Sequence, residues 1–506
     1  MSDSQVAQAL RSDAPLVLVE APAGYGKTFQ GAEYAKDLLP GLFPGRLLVL
    51  THTNAACDVF ADRTNGFGGR VEIRTIDSLS SQIATAYHKA LDLPPNVATW
   101  AYQQGSSGFN QLAAKVAYLL AHAPAISASI ASRYPYVVCD EHQDSSEAQH
   151  QIILSIHRAG ALTRVFGDPM QAIYRRRQDR DAWDRRWAEL QRASNEHVEL
   201  DTPHRWNDCA PELGDWISEA RRSLKAGREI DLRGELPRGL NLVHADNSAQ
   251  RHGQYILGKD ERRPIDSFVR AASELLILAS TNDTVLGLRA FFNRTIPIWE
   301  GHTRDYLFDL IVSCQQYKGD AITIGNAFIK FIQSVARGFS ETAYGGVLRC
   351  ELAQRCATRR TQKPAKIQEI ARLIVDSPDH QGVARALARL HGFVALDDSF
   401  SDIRLDLARE FKEAIRLGQY EDAEVGIAEL HRHRTVFRPS LPHKAISTVH
   451  KAKGLERESV LILPCDPQHF ANSEEKRRLL YVALSRATKS LALVLPRSSP
   501  SPLFRV

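Results

Sequence analysis

Three features typical of other protein classes are missing from this sequence. Its seven cysteines include no C-x-x-C pair, so a zinc ribbon or a cysteine-ligated iron–sulfur cluster is not expected. Such isolated thiols fit a reducing compartment. No apolar run is long enough to cross a membrane, and the N-terminus lacks the basic start and apolar core of a secretory signal. We therefore expect a cytoplasmic protein with no membrane partner.

The chain is longer than a single hydrophobic core usually supports. Its 506 residues predict two to four domains, and 43% hydrophobic with 24% charged residues is the composition of a globular protein. The net charge of +5 permits nucleic-acid binding without establishing it. The densest basic stretch, YRRRQDRDAWDRRW (174–187), fits either a nucleic-acid contact or a solvated helical face.

Short apolar runs alternate with helical stretches over the first 200 residues. These runs are LVLVE (16–20), RLLVLTHT (46–53), VEIRT (71–75), YVVCDE (136–141) and TRVFGD (163–168). Strands that alternate with helices predict a parallel sheet with right-handed crossovers. A smaller helical insertion is expected at about 80–132.

A second set of apolar runs follows and is interrupted by a long helical region. Its members are EHVELDT (196–202), LNLVHA (240–245), LLILAST (275–281), AISTVH (445–450), SVLILP (459–464) and LALVLP (491–496). Strand patterns nearly vanish between 301 and 440. We therefore predict an α/β fold with a first parallel-sheet domain at 1–195, a second at 196–300 and 441–506, and a helical insertion domain at 301–440.

The segment APAGYGKT has the context of a phosphate-binding loop, because a predicted strand precedes it and a helical stretch follows it. Its residues are Ala21, Pro22, Ala23, Gly24, Tyr25, Gly26, Lys27 and Thr28. Backbone N–H groups at a helix start favour an anion, and the two glycines allow close approach of phosphates. Lys27 is expected to reach the β- and γ-phosphates of a nucleotide, and Thr28 to ligate Mg²⁺. A helicase and a small-molecule kinase both fit this motif.

Carboxylates follow a neighbouring apolar strand in YVVCDEHQD (136–144). Asp140 is placed where a parallel sheet can hold Mg²⁺, and Glu141 can activate the attacking water. An acidic helix cap would explain one of these acids but not the whole D-E-x-Q-D pattern. Another strand ends in VFGDPMQAIY (165–174), where Gln171 is a candidate γ-phosphate contact.

Together with four further segments, these motifs resemble those of the UvrD/Rep family of superfamily 1 DNA helicases. Ala21 fits the family's A-x-A-G-[ST]-G-K-T form of the phosphate loop. The further segments are THTNAAC (51–57), RTIDSL (74–79), ISTVHKAKGLERESVLIL (446–463) and RRLLYVALSRATKSL (477–491). LDTPHRW (200–206) stands where the family has an N-Y-R triplet. The resemblance spans both predicted sheet domains, in the family's order, but not the two insertions.

On the nucleotide side, the resemblance implies two RecA-like domains that close on ATP and Mg²⁺. Gln5 stands where the family has an adenine-reading glutamine. Gly454 and Glu456 would bind the nucleotide, with Glu456 on the ribose. Arg205 would be a second γ-phosphate contact, and Arg486 would be the arginine finger of the second domain.

On the DNA side, the resemblance implies a row of contacts across both domains. The residues concerned are Thr51, Asn54, Thr75, Tyr174, Arg176, Thr448 and His450. Arg176 stands where the family has a base-stacking tryptophan, and His204 where it has a tyrosine that stacks on adenine. A guanidinium at 176 can stack on a base or pair with a phosphate.

The function implied by the resemblance is an ATP-dependent DNA helicase or translocase. Its ATP hydrolysis would be stimulated by DNA, its partner would be single-stranded or partly duplex DNA, and its movement would be 3′ to 5′. The alternative is a DNA-gated ATPase with little unwinding that serves as the sensor subunit beside a nuclease partner, as in antiviral systems such as Gabija. A metabolite kinase is disfavoured by the motifs at 446–491.

Overall fold

The computed structural model describes residues 1–38, 42, 45–52, 57, 60–61, 70–104, 107–174, 180–249, 254–299, 305–423, 426 and 441–506. The chain divides into two compact units, one made of Met1–Pro297 with Pro442–Val506 and the other of Ile298–Leu441. Both sheets that carry the predicted motifs lie in the first unit.

The first sheet has six parallel strands in the order β3-β2-β4-β5-β1-β6. The strands are β1 (Leu16–Glu20), β2 (Leu47–Thr51), β3 (Val71–Thr75), β4 (Tyr136–Cys139), β5 (Leu162–Gly167) and β6 (Glu196–Glu199). Strands β1 and β2 are buried at every position, as continuous apolar runs predict for central strands of a parallel sheet. Because all strands run the same way, their carboxyl ends meet at one edge, where ligands bind in such sheets.

Eight helices accompany this sheet in the described part of the chain. They are α1 (Asp3–Arg11), α2 (Lys27–Leu38), α3 (Ile76–Ala86), α4 (Val97–Gln103), α5 (Gly108–His122), α6 (Pro124–Arg133), α7 (Glu147–Arg158) and α8 (Arg180–Ala193). Their apolar faces form one core with the sheet, in which Leu18, Leu50 and Val165 pack with Val116 and Ile153. Helices α3 to α6 occupy most of the stretch predicted to be helical at about 80–132.

No single helix among the described residues is long and apolar enough to span a membrane. Helices α5 and α6 together have the length and apolar composition of a membrane-spanning segment, although they are bent by 100° relative to each other. Leu112 and Val116 of α5 and Ala131 of α6 are buried in the core beside the first sheet.

The strand at 196–199 corrects one sequence-based assignment. The sequence pattern placed this run in the second set of strands, but β6 pairs in parallel with β1, with Val17 opposite Glu196 and Glu20 opposite Glu199. The strand therefore completes the first sheet, beyond the predicted boundary at 195. The sequence pattern predicts a strand here but does not tell which sheet it joins, because only Val198 is buried. The neighbouring strand is determined by the path of the chain between the strands, which a local pattern does not contain.

The next part of the chain, from 200 to 297, begins the second sheet. Its elements are α9 (Pro211–Lys225), β7 (Ile230–Asp231), β8 (Leu240–His244), α10 (Lys259–Ala271), β9 (Leu275–Ala279) and α11 (Asn282–Phe291). The central strand β9 is buried at all five positions.

The second unit, Ile298–Leu441, is mainly helical in its described residues. It contains α12 (Asp305–Gln316), α13 (Ala321–Val335), β10 (Ala336–Arg337), α14 (Gly346–Ala353), α15 (Gln362–Asp376), α16 (His380–Leu396), β11 (Arg404–Leu405) and α17 (Ala408–Arg416). Its core includes Phe328, Tyr344, Phe400 and Phe411, none of which is exposed. Asp320 and Asp379 cap the amino ends of α13 and α16.

The chain then returns to complete the second sheet. The remaining elements are β12 (Lys444–Thr448), β13 (Arg457–Ile462), α18 (Glu474–Leu484), β14 (Ala487–Leu495) and β15 (Phe504–Arg505). The sheet has five parallel strands in the order β12-β9-β13-β14-β8, and β15 pairs with β7 outside it. The predicted fold class, an α/β protein with two RecA-like parallel sheets, is thereby confirmed.

Candidate active site

The phosphate loop joins β1 to α2, and α2 begins at Lys27. Gly24 and Gly26 have φ angles of +81° and +80°, in the left-handed region that favours glycine. A Cβ at Gly24 would lie 2.7 Å from Cβ of Arg205, and one at Gly26 would lie 3.0 Å from Cδ2 of His204. The two loop glycines therefore serve both the turn and the close approach of the 204–205 segment.

Hydrogen bonds through two tyrosines and one backbone amide tie the loop to neighbouring elements. The hydroxyl of Tyr481, on α18, accepts a hydrogen bond from the N–H of Ala23 at 2.9 Å. Tyr25, within the loop, contacts Ser218 Oγ of α9 through its own hydroxyl at 2.5 Å. Ala21 donates its N–H to Gly167 O at 3.0 Å. The loop is thus anchored to β5, to α9 and to the second-sheet helix α18, and its residue Pro22 is buried.

Below the loop, Lys27 bridges the two predicted carboxylates. Its Nζ lies 2.9 Å from Asp140 Oδ1 and also pairs with Glu141 Oε1. Burial alone would raise the pKa of Glu141, but the ammonium groups of Lys27 and Lys453 outweigh burial and lower this pKa to about 2. Burial raises the pKa of Asp140. Glu141 also has φ +54°, a strained angle for a residue with a side chain and one that occurs at functional sites.

Lys453 comes from the second sheet and reaches the same carboxylates. Its Nζ pairs with Asp144 Oδ2, lies 2.8 Å from the carbonyl oxygen of Gln171 and is 4.0 Å from Glu141 Oε2. Burial raises the pKa of Asp144 to about 6. The sequence motif around 446–463 included this lysine, but no role was predicted for it.

Gln143 connects the carboxylate loop to the end of β5. Its amide donates to Glu141 Oε2, and its Oε1 accepts the N–H of Asp168 at 3.1 Å. Trp183 donates its indole N–H to the Gln143 carbonyl at 2.9 Å. Gln171 is buried and donates its amide to Asp168 Oδ2 at 3.0 Å, so the predicted γ-phosphate contact belongs to the same network.

The two predicted phosphate-binding arginines meet at Ser485. Arg205 donates to the Ser485 carbonyl and pairs with Glu456 Oε1. Arg486 donates to the Ser485 hydroxyl at 2.7 Å and to the carbonyl oxygen of Val482 at 2.9 Å. Burial, with the nearby charge of Arg205, lowers the pKa of Arg486 to about 10. The guanidinium of Arg486 therefore faces its own helix end, beside Arg205.

The predicted nucleotide-binding residues of the second sheet and of α1 are placed as follows. Gly454 has φ +83° with open space around it, so only its backbone conformation calls for glycine. Glu456 is engaged with Arg205. Gln5 lies on α1, where its Oε1 accepts the N–H of Ser2 at 3.0 Å. His204 contacts Asp3, which precedes Gln5 by two residues on α1. Because His204 also lies beside Gly26, this end of α1 is close to the phosphate loop.

The predicted DNA-contacting residues form two groups. Thr51 and Thr75 are partners in register at the carboxyl ends of β2 and β3, although Thr51 is buried and Thr75 caps α3. In the second group, the exposed Tyr174 donates its hydroxyl to the His450 carbonyl at 2.9 Å. Thr448, at the end of β12, accepts the N–H of Lys451 at 3.3 Å and is buried. Asn54 and Arg176 lie outside the described residues.

The donor set at this edge fits a nucleoside triphosphate with Mg²⁺. Thr28, in the first turn of α2, and Asp140 offer the hydroxyl and carboxylate oxygens that Mg²⁺ prefers. The backbone at Gly24 and Gly26 is shaped as phosphate loops require, and Lys27 is a partly buried cation at the helix start. A phosphate loop, a carboxylate pair and two arginines close to them are the arrangement found in P-loop nucleotide hydrolases.

Two stretches of the chain match known protein families, and these matches narrow the class of protein to which the site points. Residues 101–180 match the UvrD/REP helicase N-terminal domain, and residues 443–494 match the UvrD-like helicase C-terminal domain. None of the curated proteins matches the chain significantly. Over these two stretches the chain is similar to UvrD/Rep helicases, as the motifs predicted, and such helicases are ATP-hydrolysing enzymes. The family uses ATP with Mg²⁺ and acts on DNA.

Proposed function

We propose that this chain is an ATP-dependent DNA helicase or translocase whose hydrolysis is stimulated by single-stranded DNA and drives 3′-to-5′ movement. The observation that carries this proposal is the convergence of residues from beyond the first sheet on its phosphate loop and its carboxylate loop. Tyr481 holds the phosphate loop, Arg205 packs against Gly24, and Lys453 binds the carboxylate loop. A site assembled from two sheets makes hydrolysis depend on their relative position.

At the nucleotide, each side chain has a role that its geometry supports. Bound ATP with Mg²⁺ supplies a phosphoryl group whose charge must be neutralised during transfer. Lys27 can bind phosphate oxygens in place of the carboxylates, and Thr28 and Asp140 would hold the metal. Glu141 is ionised at neutral pH because its pKa is lowered to about 2. Once Lys27 is drawn away, Glu141 is free to accept a proton from water.

The DNA dependence of hydrolysis is supported by the position of Lys453. Its ammonium group lies 5.2 Å from the ring centre of the exposed Tyr174 and pairs with Asp144. One cation thus contacts both a residue that is predicted to contact DNA and the loop that carries Glu141. DNA that displaces Tyr174 would change the charge around Glu141, and this links the two sites electrostatically.

Strand displacement on tailed duplexes tests the proposal. We expect the wild-type protein, with ATP and Mg²⁺, to displace a labelled strand from a duplex with a 3′ single-stranded tail and not from one with a 5′ tail. The matched control is Lys27→Ala on the same substrates, which should displace neither.

Two other outcomes have defined meanings. Hydrolysis stimulated by DNA without displacement from either substrate would favour the alternative, a DNA-gated ATPase that acts as the sensor of an antiviral nuclease complex. Displacement from the 5′-tailed duplex alone would contradict the proposed direction.

A further inference from the structure

Four side chains form a continuous hydrogen-bonded chain behind the carboxylate loop. His52 Nε2 lies 3.0 Å from Ser145 Oγ, which lies 3.2 Å from His142 Nδ1. His142 Nε2 lies 2.9 Å from His150 Nδ1. His150 Nε2 then faces Glu189 Oε2 of α8 at 3.5 Å. The chain, which we call the histidine relay (His52, Ser145, His142, His150), runs from the end of β2 to α7.

The carboxylate of Glu189 at the far end favours one direction for the protons in the relay. It makes no hydrogen bond with His150, but its negative charge, 3.5 Å from Nε2, favours a proton on that nitrogen and leaves Nδ1 of His150 to accept. His142 must then donate from Nε2 and accept the Ser145 hydroxyl proton on Nδ1. Ser145 in turn accepts from His52 Nε2. A protonated ring would present two donors and break this order.

The pKa shifts of the three rings favour their neutral forms. Burial lowers the pKa of His142 and of His150. Burial, with the charge of Lys453, lowers the pKa of His52 to about 4. Neutral rings are what this order of donors and acceptors requires.

The relay joins two places that the proposed function assigns to different tasks. His52 directly follows Thr51, in the segment 51–57 that is predicted to contact DNA. Ser145 and His142 belong to the turn that carries Glu141, and this turn is tight because Ser145 donates its N–H to the His142 carbonyl at 3.0 Å. A displacement of His142 is therefore passed to Glu141 through one peptide unit.

We propose that the histidine relay is a positioning device that transmits DNA contact at the end of β2, beside His52, to Glu141. The inference rests on the proposed function, because it assumes DNA at the end of β2 and a base at Glu141. His150 is the anchor of the relay. With His150 fixed on α7 beside Glu189, a movement of His52 is passed to Ser145 and His142 instead of being absorbed by free rotation of the rings.

A purely structural role is the competing explanation, since buried polar groups are usually paired simply to satisfy their hydrogen bonds. The two explanations differ in what a broken anchor changes. A structural histidine affects folding and every activity together. A positioning histidine affects only the step that depends on DNA, and an amide that can both donate and accept should replace it.

The test removes the anchor and measures steady-state ATP hydrolysis with and without single-stranded DNA. We expect His150→Phe to lower the DNA-stimulated kcat by about three- to tenfold, the equivalent of one hydrogen bond. Its DNA-free kcat, its KM for ATP and its affinity for DNA should match the wild type. His150→Gln should restore most of the stimulation. The control is His157→Phe on the same helix, since His157 contacts only the carbonyl of Ala161, at 3.4 Å, in the described hydrogen bonds.

The results that would overturn the relay are distinct from those that would overturn the proposed function. A wild type that DNA does not stimulate would overturn the proposed function, and the relay with it. A stimulated wild type whose DNA response survives in His150→Phe, or falls equally in His157→Phe, would overturn the relay alone. A His150→Phe protein that loses kcat equally with and without DNA would show a structural role.

A second measurement applies if His150→Phe does not fold. Nitrogen NMR of ¹⁵N-histidine in the wild-type protein reports the tautomer of each ring. We expect His142 and His150 to be protonated on Nε2, and their ring resonances to shift when single-stranded DNA is added. Rings of the opposite tautomer, or resonances that DNA leaves unchanged, would overturn the relay.

Discussion

Replacing Gly24 with alanine tests the close approach of Arg205 to the phosphate loop. The new methyl group would lie 2.7 Å from Arg205 Cβ and 3.1 Å from Cζ3 of the fully buried Trp206. The backbone at this position has φ +81°, which alanine adopts at a cost of about 1–2 kcal/mol. Displacing packed neighbours costs about 1–3 kcal/mol more.

The matched control is Gly227→Ala, at the end of α9. Gly227 has φ +75° and nothing within 4 Å of an added Cβ, so only the backbone cost of about 1–2 kcal/mol applies. The difference between the two variants therefore isolates the contact with the 205–206 segment. We expect Gly24→Ala to be less stable than Gly227→Ala by about 1–3 kcal/mol.

Urea denaturation followed by tryptophan fluorescence measures this difference, and titration with a fluorescent ATP analogue measures the second consequence. Gly24→Ala should bind the analogue at least tenfold more weakly, because either the loop or Arg205 must move, while Gly227→Ala should bind normally. Equal losses of stability in the two variants, with normal nucleotide binding in both, would refute the described packing of Arg205 on the loop.

Three further predictions concern hydrolysis and pH. Glu141→Gln should keep ATP and DNA binding but lower kcat by about 10²–10⁴-fold in an ATPase assay, because the base is lost and the side-chain shape is kept. Normal turnover together with a loss of nucleotide binding would show that Glu141 has a structural role instead. Arg486→Ala should lower kcat by roughly 10³-fold or more with little change in nucleotide affinity, and an effect on KM alone would argue against a finger. The pKa of His52 falls from 6.5 to about 4 through burial and the charges of Lys453 and Lys27, partly opposed by Glu141. The unfolded chain then binds more protons below pH 6.5, so His52 should cost about 2 kcal/mol of stability at pH 5 relative to pH 7.5. His52→Phe should lose that part of the pH dependence in urea titrations, and an unchanged dependence would show that His52 titrates normally.

Much of the nucleotide site could be predicted from local sequence, because its residues stand at the ends of recognisable strands. Lys27 follows a strand and begins a helix, and Asp140 and Glu141 follow another strand, so parallel geometry alone brings them to one edge. The structure places Lys27 on both carboxylates, within this expected neighbourhood. The catalytic and binding roles of these residues stay predictions.

The parts that sequence reasoning missed depend on contacts between distant segments. Strand β6 looks like any half-buried strand, and only its pairing with β1 assigns it to the first sheet. Lys453 lies in a recognised motif, yet its partner Asp144 is 309 positions away along the chain. His142 and His150 are eight residues apart on different elements, so no helical periodicity connects them. Such partners follow from tertiary packing, which a local pattern does not encode.

The most direct test of the central claim is ATP hydrolysis by the purified wild-type protein and by Lys27→Ala, each with and without single-stranded DNA. We predict hydrolysis by the wild type that rises when DNA is added, and almost none by a folded Lys27→Ala protein under either condition. Equal hydrolysis by the two proteins would show that the phosphate loop is not the catalytic site. A wild-type hydrolysis rate that does not change when DNA is added would contradict the coupling on which the proposed function depends.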